Sequence, residues 1–289
     1  MRLIFILFIL CFSANIYALG SKGHWLVCQL AFENLSSIQQ NALTKLTNHF
    51  PVEQKHQLNA YLNRSSNTEV TFADACSWAD AIRNDEQFLS FNSWHYLNVG
   101  REQSKVEVDD CRGNCIISAI EYHQQQFKEQ TYPAYKLTAL LFLAHWIGDI
   151  HQPLHVSFKS DLGGNKTKVI DKINSNKHQC RNLHQVWDRC LLNKSSKKDL
   201  LSNLDISLSN DEIDLLNQKN IMNWANQSLK ITRSKSIGYC SENNSNAMCQ
   251  PLSQAIMFDQ SYYSRNQPIL KTQIKLAAIR LNLFLSEHL

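Results

Sequence analysis

Glycine and proline are scarce in this sequence. Eight glycines and five prolines among 289 residues exclude a collagen-like chain and a low-complexity linker. Their scarcity leaves room for long helices. Charge is thin too: Asp, Glu, Lys and Arg make up 19%, and the formal net charge is +4. A chain that gripped nucleic acid by charge alone would carry a much larger basic excess. That argument does not exclude a protein that recruits phosphates through metal ions. Hydrophobic residues reach 44%, which excludes intrinsic disorder, and the length suffices for a sizeable core. There is no internal repeat and no linker-like stretch. Beyond the N-terminal residues, no segment is apolar enough to span a membrane.

What is present begins at the N-terminus. Met1-Arg2 precedes an apolar run from Leu3 to Phe12, and Ser13 to Ala18 turns small and polar. This reads as a signal peptide over residues 1–18, with cleavage after Ala18. The expected location is secreted or periplasmic. Nine cysteines less Cys11 of the signal leave eight, an even count that fits disulfides in an exported chain. Cys111 and Cys115, Cys180 and Cys190, and Cys240 and Cys249 are near pairs in sequence. Cys28 and Cys76 are either bridged to each other or buried as thiols.

Helical periodicity dominates the rest, and residues 19–289 read as one all-α domain with a minor β-hairpin. Trp25, Leu26, Leu30 and Ala31 fall on helical spacing after His24. Ser36-x-x-Gln39 has the pattern of a capping box, opening a helix with Ile38, Ala42, Leu43 and Leu46. Phe72, Ala75, Trp78, Ala79 and Ile82 predict another helix. The stretch from Ala134 to Ile150 is strongly apolar, and Pro153 should end it. Pro268 is expected in the first turn of a last helix. Trp94 to Val99 reads as extended, Lys168 to Ile170 as a hairpin arm, and Ser241 to Gln250 as a surface loop.

The chemistry concentrates in His145-Trp-Ile-Gly-Asp149-Ile-His-Gln-Pro-Leu-His155. His145 and Asp149 are four apart, so they share a helix face and can reach one ion. His184 and Asp188 repeat that spacing. Such a pair on a helix surface is only a hydrogen bond. Inside the most apolar helix, however, buried charge needs a partner or a metal. Imidazole and carboxylate together suit Zn²⁺ better than Mg²⁺ or Ca²⁺. His155 can turn back toward a neighbouring site after Pro153. His151 projects from another face. His49, His56, His123, His178 and His288 lie in polar surroundings and read as solvated surface residues. Asp80 and Arg83 fit an intrahelical pair, and His95 a core histidine, when each is taken alone.

Taken together, these pieces resemble the S1/P1 family of zinc-dependent single-strand nucleases. The match runs through Leu19-Gly20-x-x-Gly23-His24, Ser77-Trp78-Ala79-Asp80-x-x-Arg83 and His95-Tyr96. It continues through Ala144-His145-x-x-Gly148-Asp149-x-x-Gln152-Pro153-Leu154-His155, Gly163-Gly164-Asn165 and Asn182-Leu183-His184-x-x-Trp187-Asp188. These pieces keep the family's order from residue 19 to about 190, and the last hundred residues match only as a helical region. The resemblance implies three zinc ions. One is held by Asp80, His95 and His145, with Asp149 shared. A second is held by His155, His184 and Asp188. A third takes His24, Asp149 and the free α-amine and carbonyl of Leu19, so export and activation would be coupled. The chain departs from the family in starting the mature protein with Leu rather than Trp, a change that backbone ligation tolerates.

The resemblance also assigns roles around the metals. Arg83 offers charge to the phosphoryl oxygens, Asp80 orients the nucleophile, and Asn165 contacts substrate. Tyr96 stacks on a base, and Asn98, where relatives have Asp, hydrogen-bonds it. The implied activity is hydrolysis of single-stranded DNA and RNA to 5′-phosphorylated products by a monomer, with 3′-nucleotides as further substrates. The alternative is a zinc phospholipase C of the same superfamily. That branch ends its last ligand pair in Glu, so Asp188 favours the nuclease.

Overall fold

A computed structural model describes residues 19–204, 207–241 and 248–289. The signal segment, residues 1–18, lies outside them, as do residues 242–247 of the expected surface loop. The chain opens with helices α1 (Gly20–Glu33), α2 (Ser37–Thr47), α3 (Val52–Tyr61), α4 (Phe72–Ala75) and α5 (Trp78–Ala81). A run of 3₁₀ turns then leads to strand β1 (Leu97–Val99), followed by α6 (Ile116–Glu129) and α7 (Pro133–Ile150). Strands β2 (Val156–Phe158) and β3 (Val169–Asp171) precede α8 (Leu183–Asp188), α9 (Lys197–Ser202), α10 (Asn210–Asn217) and α11 (Ile221–Thr232). Strand β4 (Ile256–Phe258) and the long α12 (Gln260–His288) complete the described chain.

Helix α7 is the axis of the molecule. Every residue from Ala139 to Ile150 is buried, so this helix is apolar on all sides and needs neighbours all round. Helix α6 lies along it, and α1, α5 and α12 also pack against it. It stops at Ile150 because Gln152 takes the extended backbone that a following proline demands; Pro153 then opens a 3₁₀ turn. The Ser36/Gln39 capping box forms as expected at the start of α2. Four disulfides close: Cys28–Cys76, Cys111–Cys115, Cys180–Cys190 and Cys240–Cys249. They fit an oxidising compartment. Among the described residues, no helix is long and apolar enough to cross a membrane.

Several local expectations need correction. No strand pair forms a hairpin among the described residues: β1 pairs with β2 and β3 with β4, both in parallel, and the expected arm at Lys168 is antiparallel only through a single bridge to Asn182. Parallel partners must come from distant segments, so local sequence gives no sign of them. Pro268 lies well inside α12, because Asp259 caps that helix by accepting from the Tyr262 amide at 2.9 Å. The span from Phe72 to Ile82 breaks into α4 and α5 at Cys76 and Ser77, next to the bridge to Cys28. Trp94 and His95 belong to the 3₁₀ run, and the extended backbone begins at Tyr96. Ile38 is 80% exposed rather than packed. His123 is buried, its Nδ1 2.9 Å from the Ala119 carbonyl and 3.2 Å from Trp146 Nε1, under a cover of aromatic rings.

Candidate metal centre

The end of α7 delivers His145 and Asp149 to the middle of the protein, both fully buried. Asp149 is the hub. Its Oδ1 lies 3.2 Å from His24 Nε2 and accepts from the Leu19 backbone amide at 3.3 Å. Its Oδ2 lies 2.9 Å from His95 Nδ1 and 3.2 Å from His145 Nε2. The two oxygens thus face two different sets of donors. His24 reaches this point because α1 crosses α7 closely: its ring stacks on His145 with centroids 3.8 Å apart. A Cβ on Gly148 would fall 2.7 Å from His24 Nδ1, so this crossing requires glycine.

Three groups of buried His and Asp donors result. His24, His145 and Asp149 form one; Asp80, His95 and His145 a second; His155, His184 and Asp188 a third. Within each group the donor atoms lie within 4.8 Å of one another. A fourth group, Asp171 with Cys180 and Cys190, is already spent on a disulfide.

Backbone carbonyls aim the imidazoles. His145 Nδ1 lies 2.8 Å from the Cys76 carbonyl, His155 Nδ1 2.6 Å from that of His95, and His184 Nδ1 2.7 Å from that of Gly163. Each ring donates there, which leaves Nε2 bare and turned toward the carboxylates. Gly163 can present its carbonyl this way because its φ is +64° and a Cβ would fall 2.7 Å from the Leu154 carbonyl. Gln152 joins the turn to the third group: its Nε2 donates to Asp188 Oδ1 at 2.7 Å, and its Oε1 accepts from the Leu154 amide at 2.6 Å.

Buried polar atoms ordinarily find partners. Here His24 Nδ1 and Nε2, Asp80 Oδ1, His155 Nε2, His184 Nε2 and Asp188 Oδ2 have no hydrogen-bond partner. These orphans fall within the three groups, and their nitrogen and oxygen chemistry fits Zn²⁺. Protonation follows the same plan. Burial lowers His24 and His184, and takes His95 down to about 4. Burial opposes ionisation of Asp149 too, yet His145 and His155 hold it well below the usual carboxylate range. Asp188 is pushed well above that range by burial, which outweighs His184 and Gln152. Burial also works against the His145 cation, but Asp149 and Asp80 raise it.

The expected substrate residues share one cavity. Arg83, Tyr96, Asn98 and Asn165 line it beside His95, His155 and His184. Arg83 makes no ion pair with Asp80 among the described residues; the ion-pair partner of Asp80 is His145, at 3.8 Å. His151 belongs to none of the donor groups and is buried against Arg280. Other supporting residues carry little sequence signal. Tyr61 donates to Asp80 Oδ2 at 3.3 Å. Ser228 donates to the Ile150 carbonyl at 2.5 Å, and Thr232 to those of Pro153 and Val156 at 2.5 and 3.2 Å. These two hydroxyls, four apart on α11, hold the backbone that leads from Asp149 to His155. Only their i, i+4 spacing hints at a shared face.

A helical core that gathers several groups of buried imidazole and carboxylate donors beside an open cavity has the build of a multinuclear metallohydrolase. Sequence comparison narrows that class. The family model described as S1/P1 Nuclease matches residues 19–289. The chain belongs to the S1/P1 nuclease family. Endonuclease 2 of Arabidopsis thaliana is 29% identical over 227 residues, covering 74% of this chain and 68% of the relative. Endonuclease 1 of the same plant is 32% identical over 219 residues, covering 71% and 65%. Nuclease S1 of Aspergillus oryzae is 25% identical over 229 residues, covering 72% and 76%. Across the plant relatives, the match spans between 54% and 68% of their own length.

Proposed function

We propose that this protein is an exported, zinc-dependent nuclease that hydrolyses single-stranded DNA and RNA to 5′-phosphorylated products and also releases phosphate from 3′-nucleotides. The observation that carries this reading is Asp149, whose two oxygens face separate donor sets beside the cavity of Arg83, Tyr96, Asn98 and Asn165. Three zinc ions fit the three groups, with Asp149, a member of the first, shared with the second through the oxygen that faces His95 and His145. Removal of residues 1–18 would free the Leu19 amine, whose nitrogen already lies 3.3 Å from Asp149 Oδ1. The whole of residues 19–289 would then act as one catalytic domain, as a monomer.

When bound, zinc supplies Lewis-acid polarisation of the phosphoryl oxygens and an activated water for in-line displacement. The chain supplies the positioning. Arg83 places a cation at the cavity, where charge develops on those oxygens. Asp80 is held by Tyr61 and orients the attacking water. Asn165 offers its amide to the phosphate. Tyr96 provides a ring face for a base. Asn98 Oδ1 is buried without a partner and fits a base amino or imino donor. A base must leave its stack to lie there, which costs less in an unpaired strand.

The test is zinc content and the N-terminal mass of the purified protein, with assays on single-stranded DNA, RNA, 3′-nucleotides and phosphatidylcholine before and after chelation. Zinc near three per chain, Leu19 first and chelator-sensitive cleavage of nucleic acid are expected. Hydrolysis of phosphatidylcholine without nuclease activity would refute the reading.

A further inference from the structure

Two cavities meet the donor cluster. The first, with Tyr96 and Asn98, touches it at His95, His155 and His184. The second is about 610 Å³, within the range of ligand sites, and touches it at Asp188. Tyr61 also lines the second and donates to Asp80 Oδ2 at 3.3 Å. The two cavities share no lining residue, so the cluster is approached from two sides.

The second cavity has the chemistry of a phosphodiester site. Lys22 and Arg189 line it, with Ser21 and the amides of Asn63 and Asn193 as further polar groups. Its one carboxylate, Asp188, belongs to the cluster. Lys22 Nζ is anchored by the carbonyls of Leu192 and Ser195 at 3.0 and 2.9 Å, which leaves one of its three hydrogens for a ligand. Arg189 donates Nη2 to the Gln179 carbonyl at 2.9 Å. Both cations are therefore held in place, and Lys22 keeps a donor uncommitted.

We infer that this cavity binds the phosphodiester immediately downstream, on the 3′ side, of the bond being cleaved in a single strand. The inference rests on the nuclease reading. Breaking the P–O3′ bond divides the strand at the cluster. The upstream nucleoside, whose 3′ oxygen departs, fits the first cavity, where Tyr96 offers a ring face. The downstream nucleotide keeps the scissile phosphate and continues to another, which needs a second cationic path.

The test uses thymidine trinucleotides with one cleavable linkage each. The other linkage is either a 3′-methylenephosphonate, charged and resistant to P–O3′ cleavage, or a neutral methylphosphonate. It is placed downstream or upstream of the cleavable bond. Neutralising the downstream linkage should raise KM roughly tenfold, the size of one hydrogen bond to a charged group, with kcat little changed. Neutralising the upstream linkage should change KM by no more than about twofold, as expected of a solvent-screened charge. Lys22→Gln, which keeps a donor for the two carbonyls but drops the charge, should erase the downstream difference. If that variant loses fold or metal, the comparison on the unaltered protein decides alone. Equal KM values for the two downstream linkages, or a larger upstream effect, would overturn the inference while leaving the nuclease reading intact. Failure of the zinc-loaded protein to cleave any oligonucleotide would refute that reading, and this assignment with it.

Discussion

Replacing Asp149 by alanine is the sharpest perturbation of the centre. The carboxylate is fully buried, and its two oxygens face different donors: Oδ1 meets His24 and the Leu19 amide, Oδ2 meets His95 and His145. One substitution therefore removes the carboxylate of the His24 group and the oxygen that faces His95 and His145 of the second group, while the third, His155 with His184 and Asp188, keeps all its members. Zinc content should fall from near three to about one ion per chain, because the His24 group loses its only carboxylate and the second group loses the Asp149 oxygen that faces His95 and His145. Turnover should drop by at least roughly a thousandfold, since both electrostatic stabilisation and water activation depend on those groups. Asp188→Ala is the control: it touches one group and should cost one ion. Metal analysis of the dialysed variants, with single-strand cleavage on the same samples, reads both quantities. If Asp149→Ala keeps two ions, or retains activity within about tenfold of the parent, the bridging role assigned to this carboxylate is wrong.

Three further outcomes follow from the same structure. Tyr96→Ala should raise KM for oligonucleotides by roughly tenfold to a hundredfold, the worth of one base stack, as measured by steady-state kinetics; an unchanged KM would assign the ring to packing. Thr232→Val removes the donor to two buried carbonyls and should cost about 1–3 kcal/mol in urea unfolding, with Thr232→Ser recovering most of it; equal losses in both variants would mean that the hydroxyl is irrelevant. Burial lowers His123 from 6.5 to about 4, so its neutral form belongs to the folded state. Its contribution is complete above pH 6.5 and is lost as pH falls toward 4. With chelator present throughout, the stability difference between the parent and His123→Gln should shrink by about 2 kcal/mol from pH 7 to pH 4.5, and a pH-independent difference would contradict the shift.

The donors were more legible than their arrangement. His145 with Asp149 and His184 with Asp188 announce themselves through the four-residue step, and the buried character of α7 follows from its unbroken apolar run. His24, Asp80 and His95 give no such local sign, and only the order of motifs resembling a known family picks them out. The polar sequence neighbours of His123 point to the surface, but Phe91, Trp94 and Phe142 cover it from distant segments. The parallel pairing of β3 with β4, which joins Val169 to Ile256, is invisible for the same reason. Pro268 misled because proline favours a first turn, and the Asp259 cap overrode that preference.

By itself, then, the sequence determined whatever depends on the repeat of one backbone. The helical period puts His145 over Asp149, the capping box starts α2, and the proline rule ends α7 before Gln152. Tertiary structure alone decided which oxygen of Asp149 faces which histidine, which carbonyl turns each imidazole, and how hydroxyls from α11 hold the turn between Asp149 and His155. Those are contacts between segments up to 130 residues apart, as between Leu19 and Asp149. They are set by how the faces of α1, α7, α8 and α11 pack together, and no local spacing encodes that.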